Sequence, residues 1–116
     1  MSQTHRTELV ALLRQRAQRV RELEAQAEQA IHQDRSQAGY EERMRDKAEL
    51  LADLADDCRP LLDGISADEA RRIEAFSQSA ANALNVGSVF YMSALLYPED
   101  YQPGQPNDLE RFIDAL

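Results

Sequence analysis

The feature that most limits the fold is residues 4–36, a stretch without glycine or proline in which apolar side chains return every three or four positions. Leu9, Leu13, Val20, Leu23, Ala27 and Ala30 form the stripe, Val10, Ala17 and Ile31 flank it, and Arg16 interrupts it. On an otherwise charged segment this period predicts one helix with a single buried face. At ~1.5 Å per residue such a helix is about 50 Å long, more than the width of a compact small domain. It needs a long partner.

Residues 39–63 supply that partner. Tyr40, Met44, Ala48, Leu51, Leu54 or Ala55, Cys58, and Leu61 or Leu62 keep the helical spacing, and Ser36 and Gly39 suit a short link. Two amphipathic helices joined by a few residues pack as antiparallel neighbours. Charge points the same way. Residues 1–21 hold five arginines against one glutamate, while the far end of the second segment holds Asp53, Asp56, Asp57 and Asp63. An antiparallel hairpin sets these ends side by side. Each exposed pair contributes about 0.2–1 kcal/mol, enough to select orientation. Pro60 removes a helical hydrogen bond and disfavours helix at Arg59, so a kink or stop is expected there.

Gly64 suits the left-handed position after a helix, and Ser66 with Glu69 three residues on reads as a capping box opening a third helix. Ala67, Ala70, Ile73, Phe76 or Ser77, Ala80 and Leu84 carry its inner face. Asn85, Val86 and Gly87 interrupt the pattern, and a break or bend near Gly87 is expected, since glycine inside a helix costs ~1 kcal/mol relative to alanine. Val89 to Tyr97 is then the most apolar stretch of the chain. Residues 98–106, with Pro98, Pro103 and Pro106, read as an extended connector, after which Asn107 and Glu110 cap a short C-terminal helix carrying Leu109, Phe112, Ile113 and Leu116. The expected fold class is all-α: a helical bundle built on a long antiparallel hairpin over residues 4–63, a third helix from 66 broken near Gly87, and a short C-terminal helix. Its 116 residues suit one helical domain.

A net charge of −8 disfavours nucleic acid, whose affinity comes largely from phosphate neutralisation by Lys and Arg. The arginine series Arg14, Arg16, Arg19 and Arg21 is better read as facing the acidic end of the second segment. Cys58, the single cysteine, fits a reducing compartment, and no signal peptide or membrane span is expected, so the cytoplasm is the expected location.

Few residues offer chemistry. His5 and His32 lie 27 positions apart on one helix and cannot share a metal. Glu28 and His32 stand at i and i+4, but carboxylate-bridged dimetal bundles use two Glu-x-x-His units, so a solvated pair is the better reading. Glu49, Asp53, Asp56 and Asp57 can hold Mg2+ only opposite a matching acidic motif, which the third segment does not offer. Cys58 falls on an apolar face, where a thiol is usually inert. Phosphate loops, nucleophile elbows and zinc-ligand spacings do not occur. Residues 9–23, with Leu12, Leu13, Arg16 and Val20, resemble the first helix of the helical chorismate mutases, which implies an all-helical dimer, although Arg16 is better read as a bundle-core or dimer residue. That family also needs a lysine later in the same helix, whereas the one lysine here is Lys47 on the second segment.

The resulting expectation is a non-enzymatic protein–protein interaction module, adaptor-like or chaperone-like, with no cofactor and no metal. Its partner is another protein or a second copy, a homodimer first, because the hairpin is longer than the remaining chain readily covers. Val86, Val89, Phe90, Leu95 and Leu96 are the candidate partner-binding residues. The alternative is a ligand-binding or enzymatic bundle with a pocket between the third and fourth helical segments, lined by Phe76, Phe90, Tyr91 and Tyr97 and bordered by Asn82, Asn85 or Ser88.

Overall fold

The computed structural model describes residues 2–116, and Met1 lies outside the described residues. The chain is an all-α bundle on a long antiparallel hairpin. Helix α1, Ser2–His32, is about 46 Å long at ~1.5 Å per residue, close to the 49 Å longest extent of the molecule. It closes where Arg35 takes a left-handed φ of 52° and Ser36 N returns to Ala30 O. Ser36 then caps α2, Gln37–Ala52, by accepting from Gly39 N.

The second arm is broken once more than its spacing predicts. After α2 the chain turns at Asp53 into α3, Leu54–Cys58, and then tightens into a 3-10 segment, Arg59–Gly64, that contains Pro60. The change at Arg59 is the one Pro60 predicts. The break at Asp53 has a tertiary cause: Ser77 Oγ accepts from Ala55 N at 2.9 Å and donates to Leu51 O at 2.8 Å. Those two backbone groups would otherwise bond each other in the i→i−4 ladder, and a side chain inserted there kinks a helix.

Gly64 does not take the left-handed position expected of it. It is needed for proximity, because a Cβ there would come within 2.5 Å of Arg6 N and 2.9 Å of Arg6 Cα. The end of the second arm thus lies backbone to backbone against the start of α1. The Ser66–Glu69 capping box forms and opens α4, Ala67–Val86. Gly87, at φ 71°, ends α4 in the left-handed conformation that glycine adopts at least cost. Helix α5, Val89–Ala94, follows with Ser88 as its cap. Residues 98–106 are not one extended run, because they turn twice, with Tyr101 N bonded to Pro98 O and Gln105 N to Gln102 O. A second capping box, Asn107 with Glu110, starts α6, Asp108–Asp114.

Helix α2 lies between α1 on one side and α4 and α5 on the other, and α6 packs on α1. Leu9, Leu13, Val20 and Ala27 of α1 are completely buried within the single chain. This overturns the length argument for association: the second arm reaches the start of α1, so the hairpin stripe is already covered in one copy. The charge argument holds in part. Arg16 meets Asp57 at 3.5 Å and His5 meets Asp63, both across the hairpin. Arg14 and Arg21 instead reach α6, at Asp114 and Glu110, and Arg6 reaches Glu69 at the start of α4.

Candidate functional site: an exposed aromatic corner on a buried ionic clamp

Among the described residues, the large hydrophobic side chains that stand exposed are Val86 at 67%, Phe90 at 74% and Tyr91 at 55%. They cluster where α4 turns through Gly87 into α5. Phe90 and Tyr91 sit edge to face, ring centroids 5.9 Å apart. Val89 and Leu95 are half-buried and tie the corner to the core. Leu96 is corrected: it is 8% exposed and belongs to the core, because its φ of 76° turns the chain and directs its carbonyl to Asp108 N.

The corner is fixed from below. Met92, fully buried, packs with Ala27, Met44, Ala48 and Ala83. Beside it Lys47, also without exposed surface, donates from Nζ to the Ser93 carbonyl at 3.1 Å and pairs with Glu24 at 3.0 Å. The same ammonium lies 5.0 Å from the Tyr97 ring centroid, and the Tyr97 hydroxyl donates to the other Glu24 oxygen at 2.6 Å. Arg21 extends the network with a two-pronged contact to Glu110, at 2.7 and 3.1 Å, and a bond to Tyr97 Oη at 3.2 Å. Burial pulls the Lys47 ammonium below its usual range, with Glu24 opposing. Burial first, and then the bond to Glu24, push the Tyr97 hydroxyl up. The guanidinium of Arg21 holds the Glu110 carboxyl below the usual carboxylate range. With its ammonium enclosed and bonded, Lys47 acts as a clamp between α1, α2 and α5.

Arg21, Lys47, Tyr97 and Glu110 each carried a separate reading in the sequence and Glu24 carried none, yet two signals point to their joining. Lys47 falls in register with Met44, Ala48 and Leu51 on the inner face of α2, where a charge requires a partner. Residues 75–98 contain no charged side chain, in a chain where charged residues are 29% of the total.

The other candidates separate. Phe76 packs edge-on against Phe112 and Tyr97 against Tyr101, so these two do not join Phe90 and Tyr91 in one pocket. Asn82 bonds Gln78 on the surface, and Ser88 is spent on capping α5. Glu28 pairs with exposed His32, Asp56 with Arg59, and Asp57 with Arg16. Among the described residues no three His, Cys, Asp or Glu side chains converge as metal ligands.

Cys58 is buried, and burial with the neighbouring Asp57 charge pushes its thiol from the ordinary 9.0 up to about 11. Because the folded value lies above the unfolded one, this group's contribution is fully present below pH 9 and is lost as pH rises toward 11. Urea titrations are expected to show the stability gap between the wild type and Cys58→Ala narrowing across that window and constant below it. A gap independent of pH would contradict the burial of the thiol.

The fold and this site define a class: a helical-hairpin bundle with one neutral, apolar corner clamped by a buried ion pair, and, among the described residues, no helix long and apolar enough to cross a membrane. No protein-family model, curated protein or solved structure matches the chain.

Proposed function

We propose that this chain is a non-enzymatic interaction module that self-associates through the α4–α5 corner, with Val86, Val89, Phe90, Tyr91 and Leu95 as contact residues. The observation that carries this reading is the exposure of Val86, Phe90 and Tyr91 together, on a run without charge. Charge argues for a second copy as the occupant. At −8 per chain, most faces of two copies repel each other, whereas a two-fold pairing of residues 75–98 opposes no like charges. The three side chains expose roughly 300–400 Å2, about half of the ~800 Å2 that a standard interface takes from each partner. Gln78, Asn82 and Asn85, neutral and exposed on the same stretch of α4, supply a polar rim. A single free and buried cysteine supports a cytoplasmic setting, and the net charge argues against nucleic acid as partner.

Sedimentation equilibrium over a concentration series is the test. A monomer–dimer equilibrium is expected to tighten with added salt, which screens repulsion between like-charged copies. Phe90→Asp, at an exposed position that leaves the core intact, is expected to weaken it by about 30-fold or more, the effect of losing a central aromatic anchor worth about 2 kcal/mol. A wild type that stays monomeric at every concentration, or a Phe90→Asp variant that dimerises equally well, refutes the reading.

A further inference from the structure

A cleft of about 210 Å3 opens between α4 and the start of α6. Its apolar wall is made by Leu51, Phe76, Leu95 and Leu96, and its polar groups are Arg72, Ser79 and Asp108. Arg72 and Asp108 carry opposite charges on one small cleft, yet neither has an ion-pair partner among the described residues, including each other. Arg72 is nonetheless held in place. Its guanidinium carbon lies 5.2 Å from the ring centroid of buried Phe112, which is itself fixed edge-on against Phe76. A guanidinium held by its face keeps its N–H edge free, and that edge binds a carboxylate through two parallel hydrogen bonds. Asp108 is positioned through its backbone, whose N–H is bonded to Leu96 O, and its carboxylate is available to an ammonium group.

We infer that this cleft binds a free α-amino acid with an apolar side chain. The carboxylate meets Arg72, the ammonium meets Asp108, and the side chain lies on Phe76, Leu95 and Leu96. Charge complementarity selects the zwitterion, since a simple carboxylate leaves Asp108 facing a ligand of its own sign and a simple amine does the same to Arg72. Size selects a leucine-like or phenylalanine-like molecule, because the volume is below the ~300–1,000 Å3 typical of sites for larger ligands. Leu95 is shared with the proposed self-association surface, whereas Arg72 and Asp108 lie outside the uncharged run 75–98, so Arg72→Gln and Asp108→Asn report on the cleft and Phe90→Asp on the association.

The test is isothermal titration calorimetry of the full chain with L-leucine and L-phenylalanine, set against 4-methylpentanoate, which lacks the ammonium, and 3-methylbutylamine, which lacks the carboxylate. Saturable binding of at least one amino acid is expected, with both truncated probes about tenfold weaker or worse. Arg72→Gln and Asp108→Asn are each expected to lose about tenfold with unchanged circular dichroism, while Phe90→Asp binds as the wild type does. No saturable binding by either amino acid overturns the inference. So does a truncated probe that binds as tightly as the zwitterion, or an Arg72→Gln variant with full affinity.

Discussion

Glu24→Ala is expected to lower the unfolding free energy by about 3–5 kcal/mol, the cost of leaving one member of a buried ion pair without its counter-charge. Lys47 has no exposed surface, and Glu24 and the Ser93 carbonyl are its hydrogen-bonded partners. The loss is about a fifth or more of the stability of a typical domain, ~5–15 kcal/mol, and Tyr97 loses its acceptor in the same change. Urea unfolding followed by circular dichroism measures it, and a loss below about 1 kcal/mol would show that the pair is not load-sharing in the fold. A pH series identifies the cause. Without Glu24 the folded chain disfavours the Lys47 ammonium more strongly, while the unfolded chain keeps it up to the ordinary value of 10.5. In that window the unfolded state binds more protons, so the variant gains stability as pH rises and its deficit shrinks. A deficit from lost packing alone would not move with pH. Combining Glu24→Leu with Lys47→Met is expected to recover part of the loss, the remainder coming from the Tyr97 hydroxyl, left without its acceptor, and the Ser93 carbonyl, left without the Lys47 donor.

Ser77→Ala is the second large effect, expected at about 2–4 kcal/mol in the same assay, because it strands the Ala55 N–H and the Leu51 C=O, both buried. The direct bond between those two groups can form again only if α2 and α3 straighten into one helix. That movement pulls Leu54, Ala55 and Cys58 out of a core they share with Leu9, Leu13 and Ile73. Ser77→Ala is therefore expected to destabilise although it removes one oxygen and leaves no large cavity. A change within 0.5 kcal/mol, the usual range for a surface substitution, would show that the helix closes over the gap without strain.

The two predictions mark where the sequence was legible. Both capping boxes, at Ser66 and Asn107, stood in the sequence because a cap is a contact between residues three apart. The end of α4 at Gly87 was equally local, since one residue's conformational freedom decides it. The antiparallel hairpin followed from the period of its stripes and the shortness of its link. Ser77 carried no such signal. Its effect falls on Leu51 and Ala55, 26 and 22 residues earlier, and a serine on a face of small residues looks like any other helix-packing position.

The candidate site divides in the same way. Val86, Val89 and Phe90 could be picked out as a run of apolar residues, but exposure depends on what packs over each of them, and the left-handed turn at Leu96 sends that residue inward while Phe90 and Tyr91 stay out. The cleft of Arg72 and Asp108 joins residues 36 positions apart and exists only because α6 folds back onto α4 and α1.

By itself the sequence determined the long helices, the capping boxes at Ser66 and Asn107, the breaks at Pro60 and Gly87 and the antiparallel sense of the hairpin, because each follows from interactions along a few residues or from a repeating period. The tertiary structure decided that the hairpin is covered within one chain, that Lys47 and Glu24 form a clamp, that α2 breaks at Asp53, and which apolar side chains remain exposed. Those outcomes depend on groups far apart in sequence competing for the same buried space, and a pattern read along one segment carries no record of its neighbours.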